Sequence, residues 1–130
     1  MAEQAANSQC ILVVDGDVLV RHAIADYLRG CGYVVVEAST TDEAATVLND
    51  ETISVDAVLC DAGAPGSQNA FQFRAWAADR RKPVRIALAG SVEAAVRKAA
   101  DFCDEGPHLG RPYDPQGVVD YIRRLLAREP

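Results

Sequence analysis

The sequence contains no apolar stretch approaching the length needed to span a bilayer. Residues Met1 to Gln9 are polar and include Glu3, with no apolar segment behind a basic one, so no signal peptide is expected. Positive charge is in deficit: 13 Lys and Arg stand against 19 Asp and Glu, a formal net charge of −6. No Lys/Arg cluster is dense enough to override that sign. A phosphate backbone or an anionic bilayer would repel such a surface, which argues against nucleic acid and membrane as direct partners. The cysteines Cys10, Cys31, Cys60 and Cys103 are far apart and form no CxxC pair. With no sign of export, all four are expected as free thiols in a reducing cytoplasm. There is no internal repeat, and no low-complexity tract beyond the short polar tail.

What is present is enough for one globular unit. The 130 residues are 49% hydrophobic and 25% charged, which supports a single core and excludes disorder throughout. We expect a flexible tail over residues 1–8 and one domain over residues 9–128.

Apolar runs at Ile11 to Val14, Tyr33 to Val36, Ala57 to Cys60 and Ile86 to Ala89 are short and nearly continuous. Such runs suit strands buried on both faces of a parallel sheet. A weaker run surrounds His108 and Leu109. Helical spacing fills the intervals. Val20, Ala23, Ile24, Tyr27 and Leu28 share one face, ending at Gly30-Cys31-Gly32. Thr40 with Glu43 predicts a capping box for a second helix. Ala70, Phe73, Trp76 and Ala77 mark a third, in which Phe71, Phe73 and Trp76 are read as packing residues. Ser91 can cap a fourth, and Pro115 opens a fifth through Val118, Val119, Ile122 and Leu125. Strict alternation predicts a doubly wound α/β domain, a five-stranded parallel sheet with five helices on both faces.

In such sheets chemistry collects at the carboxyl ends of the strands. Asp15 and Asp61 each stand where an apolar run stops, and Asp17 lies just beyond the first. Each Asp could merely cap the turn that follows it. If the first and third strands are neighbours, however, the two carboxylates converge, and crowded carboxylates persist where a cation or proton exchange rewards them. A hard divalent ion takes oxygen ligands, and a carboxylate beside it can accept a phosphoryl group.

Three stretches carry a family resemblance. Ile11-Leu-Val-Val-Asp15-Gly-Asp-Val-Leu-Val-Arg21 is similar to the first strand and acidic turn of response-regulator receiver domains. Asp61-Ala-Gly-Ala-Pro65-Gly66 resembles their phosphoacceptor and its loop. Gly110-Arg111-Pro112-Tyr113-Asp114-Pro115 resembles the segment with a Lys before a cis-proline. They occur in the family's order and at similar separations, over about Gln9 to Arg128. The resemblance implies the flavodoxin-like strand order 2-1-3-4-5, Asp61 as phosphoacceptor, and a Mg²⁺ ion held by Asp15, Asp61 and the Gly63 carbonyl, with Asp17 as a substitute ligand.

The same match exposes departures. The second acidic position is Gly16, which offers no side-chain oxygen. The Ser/Thr switch position is Ala89, the Lys position is Arg111, and the switch aromatic is His108. Losing a carboxylate should weaken Mg²⁺, a methyl cannot hydrogen-bond a phosphoryl oxygen, and an Arg fork differs from a Lys ammonium. His108 reads either as a pH-sensitive contact or as an ordinary surface histidine.

The function implied is phosphorelay signalling by protein–protein contact, with phosphorylation of Asp61 slow or lost. A histidine kinase or phosphotransfer protein is one kind of partner, and a phosphate-independent protein is the other. The family also pairs copies through helix 4, strand 5 and helix 5. An alternative is a haloacid-dehalogenase-like phosphohydrolase using Asp15 and Asp17, although no later acidic pair supports it. A nucleotide or flavin carrier is disfavoured because no Gly-rich loop follows the first strand. Cys60 is expected to be a buried small hydrophobe, not a nucleophile.

Overall fold

The computed structural model describes residues 9–106 and 114–128. Strands β1 (Cys10–Val14), β2 (Val34–Ala38), β3 (Ala57–Asp61) and β4 (Arg85–Ala89) alternate with helices α1 (Val18–Gly30), α2 (Thr41–Asn49), α3 (Ala70–Ala78) and α4 (Val92–Glu105), and α5 (Pro115–Ala127) follows. All strand pairs are parallel, in the order β2-β1-β3-β4. The five helices and the expected order of the first four strands are present. The weak fifth run around His108 lies outside the described residues, as do Arg111 and the tail over residues 1–8.

Side chains alternate across the sheet with the period of two that a strand imposes. Ile11 and Val13 join Ile24, Tyr27 and Leu28 of α1, Val96 and Ala99 of α4, and Val119 and Ile122 of α5. Leu12 and Val14 face the other way, against Ala44 and Leu48 of α2 and Phe73 and Ala77 of α3. The central strand β1 is buried along its whole length, which accounts for its unbroken apolar run. β4 is less covered than its composition suggests, being buried only at Ala89.

Caps set the helix starts. Ser91 Oγ accepts the Ala94 N–H, as its position predicts. Thr40 Oγ1 accepts the Glu43 N–H, but the Glu43 carboxylate reaches back to the N–H and hydroxyl of Ser39 instead of closing the expected box on Thr40. Ser39 offers two donors where the Thr40 backbone offers one. Asn69 and Gln72 form a full capping box on α3. In that helix Phe73 is buried and Trp76 stacks on it, while Phe71 is 57% exposed and lies under the Arg74 guanidinium. Phe71 is thus not a core residue, because it falls on the outer face of its helix.

The cysteine expectation is corrected for two of four. Cys31 and Cys103 form a disulfide with Cα atoms 5.8 Å apart, whereas Cys10 and Cys60 are free and buried. Residues 72 apart in sequence are brought together because α1 and α4 pack on the same face of the sheet. No helix among the described residues is long and apolar enough to cross a membrane.

Candidate functional site: a rim of two carboxylates

β1 and β3 are hydrogen-bonded neighbours whose last paired residues are Val14 and Cys60. Asp15 and Asp61 come next on each strand, so both stand at the same rim of the sheet. The charge of Asp61 acts on Asp15 directly. Asp15 is pushed up to about 6, first by burial and then by the Asp61 and Asp17 charges, against the opposing pull of the Asp17 N–H and Arg21. β4 completes the rim. Ala89 is the direct cross-strand partner of Asp61 and is buried, so a residue with only a methyl side chain pairs with Asp61.

The turn after β1 is held from several sides. The Asp15 N–H donates to the Ala38 carbonyl (3.1 Å), and Asp15 Oδ1 accepts the Asp17 N–H (2.8 Å). Arg21 Nη1 donates to the Asp15 carbonyl (3.1 Å), while its Nε donates to Glu37 Oε1 (3.2 Å). Glu37 also meets His22 and Arg29. Burial alone would raise the Glu37 carboxyl, but the hydrogen bonds from His22, Arg21 and Arg29 outweigh it and hold it below its usual value. An ion-pair cluster on β2 thereby anchors the acidic turn through one guanidinium.

Asp17 is placed differently. Its Oδ1 accepts the N–H groups of Leu19 (2.9 Å) and Val20 (3.3 Å), which caps α1. Asp17 thus caps the helix, while Asp15 stands at the rim with Asp61 and also caps the turn that follows it through the Asp17 N–H.

The loop after β3 was not legible as a clasp. Its course begins with the Ala62 N–H donating to the Ala89 carbonyl and the Ala64 N–H to the Asp61 carbonyl. The loop then fastens onto the first turn of α2. The Thr41 N–H donates to the Pro65 carbonyl (2.8 Å), Thr41 Oγ1 donates to the Gln68 carbonyl (2.7 Å), and the Ser67 N–H and hydroxyl both donate to the Asp42 carboxylate. Those bonds hold Asp42 below its usual carboxylate range. Gly66 has φ +145°, and a Cβ there would lie 2.1 Å from Thr41 Oγ1, so only glycine allows this approach. The clasp carries Pro65 over Gly16. A Cβ on Gly16 would lie 3.0 Å from Pro65 Cδ and 3.1 Å from its Cγ. Gly63 runs alongside Asp61, whose Oδ2 lies 3.5 Å from where a Cβ on Gly63 would be.

No family model and no curated protein matches this sequence. Solved structures do match in shape. The chemotaxis response regulator CheY4 of Vibrio cholerae superposes with a TM-score of 0.58 at 20% identity, over 92% of this chain and 99% of that one. A response regulator from Chloroflexus aurantiacus superposes at 0.58 and 25% identity, over 94% and 100%. A CheY-like receiver domain from Methanospirillum hungatei does so at 0.59 and 20%, over 93% and 95%. The chain has the receiver-domain fold.

Within that receiver fold, the rim brings together Asp15, Gly16, Asp61, Gly63 and Ala89 as the sequence match places them, while Arg111 and His108 lie outside the described residues. Mg²⁺, which the fold family implies, meets a poor donor set. Among the described residues no group of three His, Cys, Asp or Glu side chains is placed to hold a metal ion. One Asp15 oxygen already accepts the Asp17 N–H, and Asp17 is turned to its cap. Cys60 adds nothing reactive: burial, and after it the charges of Asp61 and Asp15, push its thiol up to about 12, far from the thiolate a nucleophile needs.

Proposed function

We propose that this chain is a receiver module of two-component signalling that acts through protein–protein contact, with Asp61 in the phosphoacceptor position and phosphoryl transfer to it slow or absent. Asp61 sits at a strand end beside a second carboxylate, on the fold shared with response regulators from several organisms. The observation that carries the reading of impaired transfer is the pair of neighbours around that aspartate. Ala89 is its cross-strand partner, and Pro65 covers the position of the missing acid at Gly16.

Phosphoryl transfer is catalysed almost entirely by positioning and by neutralising charge on the transferred oxygens. Mg²⁺ would be held here by Asp15, Asp61 and the Gly63 carbonyl, and when bound it supplies that neutralisation. Two carboxylates, one of them already engaged, bind so strongly hydrated an ion weakly. The Ala89 methyl donates no hydrogen bond to a phosphoryl oxygen. The partner is therefore a histidine kinase or phosphotransfer protein that works slowly on Asp61, or a protein that reads the surface without phosphate. The phosphohydrolase alternative is the weaker reading, since Asp17 Oδ1 is engaged in capping α1.

Incubation with acetyl phosphate and Mg²⁺, followed by intact mass, tests the proposal. Expected is a mass gain of one phosphoryl group that is slow and partial or absent, with none in Asp61→Asn. Rapid, complete phosphorylation of Asp61 would overturn the impairment. Phosphorylation that persists in Asp61→Asn would overturn the assignment of the acceptor.

A further inference from the structure

The Cys31–Cys103 bond joins two helix ends. Cys31 is the residue that closes α1, its N–H donating to the Leu28 and Arg29 carbonyls. Cys103 lies in the last turn of α4. The other end of α4 begins at Ser91, two residues beyond Ala89 at the acidic rim. One helix therefore runs from the candidate site to the disulfide.

The last turn of α4 is poorly stabilised by its own sequence. It carries Asp101, Asp104 and Glu105 and no basic residue, so carboxylates crowd the negative pole of the helix dipole. Gly106, with φ +152°, ends it. What opposes fraying comes from outside the helix. The Tyr33 hydroxyl donates to the Phe102 carbonyl. Arg85 pairs with Glu105 (3.0 Å) and lies over the Phe102 ring, and the disulfide binds Cys103 to α1. The Arg85 pair is more than half exposed on both sides and contributes little. The covalent bond is the strongest of the three.

We propose that Cys31 and Cys103 form a redox-responsive tether: oxidised, it locks the C-terminal turn of α4 to the end of α1, and reduced, it lets that turn open. Both residues are buried, at 0% and 2% exposure, so reduction proceeds through local opening of that turn. A thiolate of a dithiol reductant attacks one sulfur, and the S–S bond breaks as a mixed disulfide forms. The reductant's second thiol then displaces the remaining protein sulfur. Two electrons and two protons end on Cys31 and Cys103, and the reductant leaves as a cyclic disulfide. A small oxidised disulfide reverses the process.

The test combines thiol labelling with amide hydrogen exchange on the full chain. After treatment with oxidised glutathione, alkylation in denaturant should label Cys10 and Cys60 alone, and proteolysis should yield linked peptides containing Cys31 and Cys103. After treatment with dithiothreitol in native buffer, all four cysteines should label. Amides of the last turn of α4 should then exchange about ten-fold faster or more, with β1 and β3 unchanged. Cys31→Ala should match the reduced protein under both conditions. Should that variant fail to fold, the reduced wild type carries the same comparison. Four free thiols after oxidant treatment would overturn the tether. Equal exchange in the two redox states, or reduction that requires β1 and β3 to open as well, would overturn the switch and leave a structural staple.

Discussion

Pro65 and Gly16 share one space: the proline ring carbons lie 3.0 and 3.1 Å from where a side chain on residue 16 would begin. Both are explained by the loop that joins them. Thr41, Asp42, Ser67 and the positive φ of Gly66 bind the segment after β3 to α2, and Pro65 is carried over the first acidic turn as a result. The small residue at 16 and the fastened loop fit one packing arrangement.

Restoring the acid alone should therefore fail. Gly16→Asp requires the Pro65 ring to give by a few tenths of an ångström, and with that ring held by the fastened loop the overpacking is expected to cost about 1 kcal/mol. The single variant should unfold at lower urea with little gain in Mg²⁺ affinity. Gly16→Asp combined with Pro65→Ala should regain most of the stability and bind Mg²⁺ more tightly than wild type by calorimetry. Equal stability of Gly16→Asp and wild type would show that the ring is free to move.

The clasp itself makes a second prediction. Gly66→Ala meets Thr41 Oγ1 at 2.1 Å and adopts a φ of +145°. A loss of about 2 kcal/mol or more is expected in urea unfolding. Adding Thr41→Ala removes the Oγ1 clash but leaves the residue 41 backbone N at 3.0 Å and Cβ at 3.2 Å, and the positive φ, so the double variant should recover only part of it.

Stability should depend on pH through Asp15. Its folded pKa of about 6 lies above the ordinary 3.8, so between those values the folded chain binds more protons than the unfolded one. By linkage this contribution is favourable at low pH and falls as pH rises toward about 6, beyond which the cost of the buried charge is fully present. In metal-free buffer, Asp15→Asn should abolish that slope. It should also stabilise the protein above pH 6, by about 1–2 kcal/mol after allowance for solvent screening, as measured by thermal melts at pH 4.5 and 7.5. The amide oxygen still accepts the Asp17 N–H, so the turn is retained.

Loss of the disulfide should lower stability without changing the fold. A disulfide between residues 72 apart in sequence is worth about 2–4 kcal/mol, the usual range for a protein cross-link. The oxidised Cys31→Ala/Cys103→Ala variant should melt roughly 10 °C below oxidised wild type. Under dithiothreitol the gap should largely close.

Local pattern was sufficient wherever the decisive interaction lies within a few residues or follows from periodicity. Ile11 to Val14 and Ala57 to Cys60 announce buried strands because every residue is apolar. Ser91 and Pro115 announce helix starts because capping acts over one turn. Alternation placed Asp15 and Asp61 at one rim, since parallel strands end on the same side, and their convergence needed β1 and β3 to be neighbours, as they are. Phe71 was misplaced because its neighbours Phe73 and Trp76 are core and its own helix face is not. Glu43 turned to Ser39, as two donors in reach of a carboxylate outcompete one.

By itself, then, the sequence determined which segments become strands and helices, and which strand ends carry carboxylates. Tertiary structure decided the rest. It set Pro65 over Gly16, fastened residues 65–68 to Thr41 and Asp42, and joined Cys31 to Cys103. Each of those contacts depends on how two helices or loops settle on a sheet, between partners tens of residues apart. Side-chain identity cannot specify such a distance until the chain has folded around its core.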